Sequence, residues 1–585
     1  MKTDLLLIFP PQWSPFQPPL GVAALAAWMT RSGHSVKILD LNVEFYHWLF
    51  SDTACEIATE QLASNSSVST KSRRRIAAFL RAAPRFRRCV EGFPTILARD
   101  DHPTPSRILA ETYVFNRILE NWCAAISAAC SDFAISPYYF SVTGNALSVG
   151  ALEAALCSPP RFIAAFIHDR VLPFLKEMSP LVVGLSCIGQ DQLYWTLLLG
   201  AAARRHSQCP VVVGGTITSR IYERGRLPRD WLGRYFDFMV RNEGERPLDA
   251  FLSRVKSGSH DASDIPGFVS GETACAPAPP LHPRDVPTPM FDGLPLEKYF
   301  TPEVTLPLLT SRGCYWGKCE FCHHGMIYGE KYASAEVENV LRDVTALSLR
   351  HSTRAFAFND EAIPPKIFRG IGSSFPQFSE SGWRFTGLLK FERYYQDADF
   401  KAAFNVGFRT LYVGLESASE KVLALMKKNC SRSTMLDNLR SAAKAGIWMH
   451  CFLFFGFPGE TEVDAQETFD FILANLAVIP SHGCGVFSFE HGAPISRHPN
   501  RLGIVPVEAS PDDLNVYLPY AVPNGIDEHR AAEWQRLLFD AACEDSRYLA
   551  TRWISSEHLL CLVSALGRDG LVEEAQKMRL GQLLD

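Results

Sequence analysis

Twice along this chain of 585 residues, short apolar runs of strand length alternate with longer stretches of helical period, and no other feature restricts the fold as much. In the first half, residues 4–9, 35–40, 181–186, 211–214 and 236–241 read as strands, and residues 20–32, 193–206 and 246–256 as helices, the first closed by Gly33. In the second half, residues 305–309, 354–358, 383–391, 410–415, 448–455 and 485–489 read as strands with amphipathic helices between them. Such strands pair in parallel, because a parallel partner needs a crossover long enough to hold a helix. The expectation is an α/β protein: a doubly wound sheet, then a partial (β/α)6 barrel open on one side. Both architectures gather their ligands at the carboxyl ends of the strands.

The first domain is expected over residues 1–256, with a helical insertion at about 50–165. The basic runs of that insertion, Lys71 to Arg75 and Arg85 to Arg88, read as a solvated face or as contact with an acidic substrate or leader peptide. Residues 257–289, rich in Pro, Gly, Ser and Ala, read as a linker. The barrel is expected over 290–505 and a small, mostly helical domain that caps substrate over 506–585. A net charge of −5 offers no general attraction to nucleic acid. Sixteen cysteines scattered through so long a chain suit a reducing cytoplasm better than a disulfide scaffold. No signal-peptide pattern and no apolar run of membrane-spanning length is present in the sequence.

Three of the cysteines, Cys314, Cys319 and Cys322, fall within nine residues, just after the first strand of the second half. Three thiolates on one loop can bind a zinc ion with His323 or His324 as fourth ligand. They can equally hold three irons of a [4Fe–4S] cluster whose fourth iron stays open. Two buried cysteines and a bystander is the remaining, non-metal reading.

The order Ser311-Arg312-Gly313-Cys314, then Cys319-Glu320-Phe321-Cys322, at the end of a first barrel strand resembles the cluster loop of radical S-adenosylmethionine (SAM) enzymes. Four residues separate the first two cysteines where that family normally has three. The resemblance implies a [4Fe–4S] cluster on Cys314, Cys319 and Cys322, with SAM held by Tyr315, by Asp360 and Glu361 after the second strand, by Lys390 or Arg393, by Glu416 and Ser417 after the fourth, and by the turn at Gly456. Met426 to Asn429 reads as a helix end with a structural role only. Cys451 and Cys484 read as small core residues.

In the first domain, Gly-x-Gly-x-x-Gly is absent after the first strand, which excludes a dinucleotide turn there. Pro18-Pro19-Leu20-Gly21, Asp40-Leu41-Asn42, Ser186 and Gln190, Gly214-Gly215, and Arg241-Asn242-Glu243-Gly244-Glu245 instead resemble, as an ordered set, the Rossmann-like domain of cobalamin-dependent radical SAM enzymes of the methyltransferase branch. The resemblance implies cobalamin contacts from Pro18, Leu20, Gly21, Ser186, Gln190, Gly214, Gly215, Thr218, Glu243 and Gly244. Asp-x-His-x-x-Gly is missing and His34 reads as a surface residue, so cobalamin is expected base-off, without a protein histidine ligand. The family chemistry implies methylation of an unactivated carbon in a peptide or other natural product, with rearrangement or cyclisation as the alternative reaction and a zinc-stabilised binding protein as the non-enzymatic one. It also implies an electron donor such as flavodoxin or ferredoxin, and a monomer or weak oligomer.

Overall fold

A computed structural model describes residues 3–98, 103–142, 147–323, 331–507 and 513–580. The first sheet contains β1 (Leu5–Phe9), β2 (Val36–Asp40), β3 (Val182–Ser186), β4 (Val211–Gly214), β5 (Phe238–Val240) and β6 (Phe268–Val269), in the order β2-β1-β3-β4-β5-β6. The first five are parallel and β6 is antiparallel. The order reverses between β1 and β3, and the crevice at their carboxyl ends is where a doubly wound sheet receives its ligand.

All five residues of β1 are buried because both faces of the sheet are covered. Leu5, Leu7 and Phe9 face helices α1 (Leu20–Arg31) and α4 (Glu245–Lys256), while Leu6 and Ile8 face the other core, to which Trp48 and, from the insertion, Trp122 contribute. Beyond the helix Leu41–Trp48, the helical segments of this region begin at Asp52 and end at Met178, with a hairpin, Phe133–Ser136 and Tyr139–Val142, after the long helix α2 (Pro105–Ala129). Its helices therefore continue past residue 165, because Phe166, Val171 and Leu175 extend the same apolar stripe. Lys71, Arg74, Arg75, Arg85 and Arg88 are exposed.

Residues 257–289 are not a loose spacer. Phe268 and Val269 close the sheet edge as β6, and Ala262, Ile265 and Phe268 are buried against α4 and its neighbours. A two-residue strand inside a Pro/Gly-rich stretch has too little apolar length to stand out in a sequence.

The second sheet runs β12-β11-β10-β9-β8-β7, with β7 (Thr305–Leu308), β8 (Ala355–Phe358), β9 (Arg384–Leu389), β10 (Thr410–Glu416), β11 (Trp448–Phe455) and β12 (Ser481–Val486) all parallel. It is a six-stranded partial barrel. The last strand starts earlier than the expected 485–489, because an edge strand of Ser, His, Gly and Cys is held by its ladder to β11 rather than by apolar alternation. After the barrel come α5 (Glu528–Cys543), Ser546–Thr551, α6 (Ser556–Leu566) and Arg568–Lys577, a helical C-terminal region. A single buried cluster runs from Leu7 and Phe251 through Phe291 to Leu306 and Phe356, so the two sheets share a core. Among the described residues no helix is long and apolar enough to cross a membrane.

Candidate active site

The cluster loop leaves β7 through Thr310 and Ser311, and both are tied to Asp360 at the end of β8. Asp360 accepts from the Thr310 amide at 3.0 and 3.1 Å, the Thr310 hydroxyl at 3.0 Å and the Ser311 hydroxyl at 2.6 Å. Burial raises its pKa to about 6 despite these donors. The carboxylate expected on the SAM amino group is instead spent on positioning the loop. Glu361, next along, is half-buried at the same strand end.

Cys314, Cys319 and Cys322 are half-buried. Burial pushes the Cys319 thiol up to about 12, opposed by the Lys428 ammonium and reinforced by Cys322 and Cys314, so the three thiols are electrostatic neighbours. Yet among the described residues no three His, Cys, Asp or Glu side chains converge on a single-ion site. His323, the described candidate for a fourth zinc ligand, has its Nδ1 paired with Glu490. His324 lies outside the described residues.

Glu416 ends β10 with φ of +64°, a left-handed conformation that is costly for a residue with a side chain. The register to β11 shifts at the same place, and the carboxylate folds back over Gly414, where a Cβ would lie 2.0 Å from Oε1. There Oε1 accepts from Lys428 at 2.7 Å. Lys428 is buried, and the attraction of Glu416 and Cys319 outweighs desolvation and raises its pKa. Glu416 is thus brought beside Cys319 by a lysine that the sequence reading left as part of a helix end.

The other expected SAM contacts divide. Lys390 donates to Glu392 at 3.0 Å and lies 5.1 Å over the Trp316 ring; the same Glu392 oxygen accepts from Tyr315 at 2.8 Å. Lys390 and Tyr315 therefore meet at the cluster loop, but the lysine charge is already matched by Glu392, which sequence reasoning passed over. Arg393 is exposed. Ser417 is fully buried, 3.0 Å from the Thr468 hydroxyl and accepting from the Ser419 amide, so it serves the turn and not an open site. Gly456 has φ of +90° and donates to Glu460 at 2.5 Å. Cys451 is buried, and Cys484 is half-buried beside α5.

On the first sheet, Ser186 and Gly214 sit side by side at the ends of β3 and β4, with Gln190 and Gly215 in the following turns. Pro18, Leu20 and Gly21 enter α1 at the same edge, where a Cβ on Gly21 would meet open space. Gly215, with φ of +110°, has a packing reason of its own: a Cβ there would stand 2.1 Å from the Cys187 carbonyl oxygen. Thr218 is buried inside α3 (Thr216–Glu223), its hydroxyl donating to the Gly215 carbonyl at 3.0 Å. Gln190 lies 3.3 Å from Asn515. Gly244 packs on Leu25, and Glu243 is engaged by Arg312 and by the Leu281 amide at 2.6 Å. Glu243 therefore joins the domains instead of facing the crevice. His34 is also corrected: it is buried, not on the surface, and Nε2 lies 2.9 Å from Asp249.

The two carboxyl edges face each other, joined by Asn359, which donates to Gln17 at 3.0 Å. Behind that contact lies a cavity of about 320 Å³, lined by Phe16 and Gln17, by Phe358, Leu388, Tyr412 and Phe452 of the barrel, and by Ser556, Glu557 and Leu560 of α6. Wider depressions of about 600 and 620 Å³ flank Arg204 at the opposite edge of the first sheet.

A doubly wound sheet whose carboxyl edge meets that of a partial barrel carrying three loop cysteines defines the class. Residues 379–472, within the barrel, match the Radical SAM superfamily model. The whole fold is similar to that of the radical S-adenosylmethionine methyltransferase TsrM of Kitasatospora setae, whose structure holds cobalamin and a [4Fe–4S] cluster and superposes with a TM-score of 0.57 over 99% of this chain and 100% of that one at 14% identity. The cobalamin-dependent enzyme OxsB superposes with a TM-score of 0.51 over 66% of this chain and 61% of its own at 16% identity. In sequence, an uncharacterized methyltransferase of Pyrococcus horikoshii is 26% identical over 52% of this chain and 66% of its own length. A bacteriochlorophyllide d C-12(1)-methyltransferase of Chlorobaculum tepidum is 26% identical over 30% of this chain and 39% of its own. The chain thus spans less than two thirds of either curated relative.

Proposed function

We propose that this protein is a cobalamin-dependent radical SAM methyltransferase that methylates an unactivated carbon of a peptide or other natural product. The observation that carries the reading is the Glu416–Lys428 pair set beside Cys319, at the barrel edge that faces the β1/β3 crevice. When bound, the cluster with SAM supplies hydrogen-atom abstraction and the corrinoid supplies the methyl group, chemistry beyond any side chain. Cys314, Cys319 and Cys322 would hold the iron. Glu416 is the carboxylate suited to accept from the ribose hydroxyls of SAM, with Lys428 fixing its orientation. Gly21, Ser186 and Gly214 would present a small-residue edge to the corrinoid. His34 is held by Asp249 and Asp-x-His-x-x-Gly is missing, which supports base-off binding. Phe16, Phe358, Tyr412 and Phe452 keep water from the cavity in which the substrate carbon would sit. A one-electron donor such as flavodoxin or ferredoxin would supply the reducing equivalent.

The test is anaerobic reconstitution of the wild type and of the Cys314→Ala, Cys319→Ala and Cys322→Ala variants. The wild type is expected to bind four irons and four sulfides of one cluster, to bind base-off cobalamin, and to release 5′-deoxyadenosine and S-adenosylhomocysteine. Each variant is expected to lose SAM cleavage while still binding cobalamin. Retained cleavage in all three variants refutes the cluster assignment, and absence of S-adenosylhomocysteine refutes methyl transfer in favour of rearrangement.

A further inference from the structure

We propose that Glu557 anchors a cationic group of the substrate, so that the substrate carries an ammonium or similar cation next to an apolar ring. This rests on reading the barrel cavity as the substrate chamber. Two carboxylates line that cavity, Asp360 and Glu557. Asp360 is saturated by Thr310 and Ser311. Among the described residues Glu557 has neutral donors: its own backbone amide, the Ser556 hydroxyl at 3.0 Å and the Ser14 hydroxyl at 3.5 Å. Among the described residues no lysine, arginine or histidine forms an ion pair with it, and the ring of the adjacent His558 is turned to the Phe300 carbonyl, Ser555 and Asn116.

A half-buried carboxylate without a counter-charge is partly desolvated, and this raises the pKa of Glu557. Its place in the first turn of α6 offsets part of that cost through the helix dipole. A solvent-facing acid would serve the dipole equally well, however, and this one opens into the chamber. Its position is fixed, because Tyr412 of β10 donates to the Ser556 carbonyl at 2.7 Å and pins the start of α6 to the barrel. The surrounding wall of Phe16, Phe358, Leu388, Phe452 and Leu560 is apolar. A cation entering with an apolar ring would satisfy both the charge and the wall, at a site dry enough for the ion pair to be strong.

The probes are 2-phenylethylamine, an ammonium at neutral pH, and 2-phenylethanol, its neutral counterpart of equal size, titrated calorimetrically into the full chain. The amine is expected to bind the wild type at least about tenfold more tightly than the alcohol. In Glu557→Gln, which keeps the shape and removes the charge, the two are expected to bind within about twofold of each other. Equal binding of the two probes to the wild type, no binding of the amine at millimolar concentration, or a preference that survives in Glu557→Gln each overturns the proposal. These readouts need neither cluster nor SAM, so their outcome is separate from that of the iron and 5′-deoxyadenosine assays.

Discussion

Arg312, two residues before Cys314, donates through Nη2 to the Glu245 carboxylate at 2.6 Å, across the boundary between barrel and first sheet. Its other amino group reaches Glu243. All three side chains are at most about one-tenth exposed, and the two carboxylates raise the arginine pKa against desolvation. The cluster loop is therefore held to the end of β5, and any cofactor on one edge inherits its distance from the other.

Replacing Arg312 with Met should leave two buried carboxylates facing each other, a loss of about 3–5 kcal/mol. The expected outcome is a clear fall in melting temperature by differential scanning calorimetry, together with protease sensitivity between the domains. A melt unchanged from wild type would show that the contact does not couple the domains.

Lys428→Met should strand Glu416 without its counter-charge, whereas Lys428→Arg keeps it. We expect the methionine variant to lose about 3 kcal/mol of stability and to bind SAM at least about tenfold more weakly in equilibrium dialysis. The arginine variant should recover most of both. Equal SAM affinity in all three proteins would remove Glu416 from the SAM site.

Glu460 is fully buried, its Oε1 has no hydrogen-bond partner among the described residues, and burial raises its pKa from 4.5 to about 7. The folded state then binds this proton more tightly than the unfolded one, so stability is full below about pH 4.5, declines as pH rises to about 7, and is level above. Glu460→Gln should flatten that slope and raise stability at pH 8 by up to ~3 kcal/mol. Denaturant titrations at pH 5 and pH 8 would check this; an unchanged slope would count against it.

Gly215→Ala forces a Cβ against the Cys187 carbonyl at positive φ and should cost about 1–3 kcal/mol. The loss should be the same with and without cobalamin, because the clash lies within the sheet edge. A melting temperature that changes only in the cobalamin-bound protein would assign the glycine to the cofactor.

The sequence was most informative where local pattern and tertiary environment agree. Leu5–Phe9 is apolar throughout because it is covered on both faces, and the barrel strand Trp448–Phe455 has the same clarity. Ser481–Val486 escaped because its pairing, not its composition, makes it a strand. Phe268–Val269 escaped because two residues carry no period. At the site, residue positions were legible and partners were not: Asp360 finds Thr310 fifty positions away, Glu243 finds Arg312 sixty-nine away, and each was expected to face a cofactor. A carboxylate at a strand end looks the same in a sequence whether it greets a ligand or a loop.

Ser14 and Glu557 meet on one wall although 543 positions separate them. The chamber is consequently closed only when α6 docks, since that helix supplies a wall that neither sheet provides. A folding chain could form both sheets and still present an open basin, so the pocket is a product of tertiary docking and of neither sheet alone.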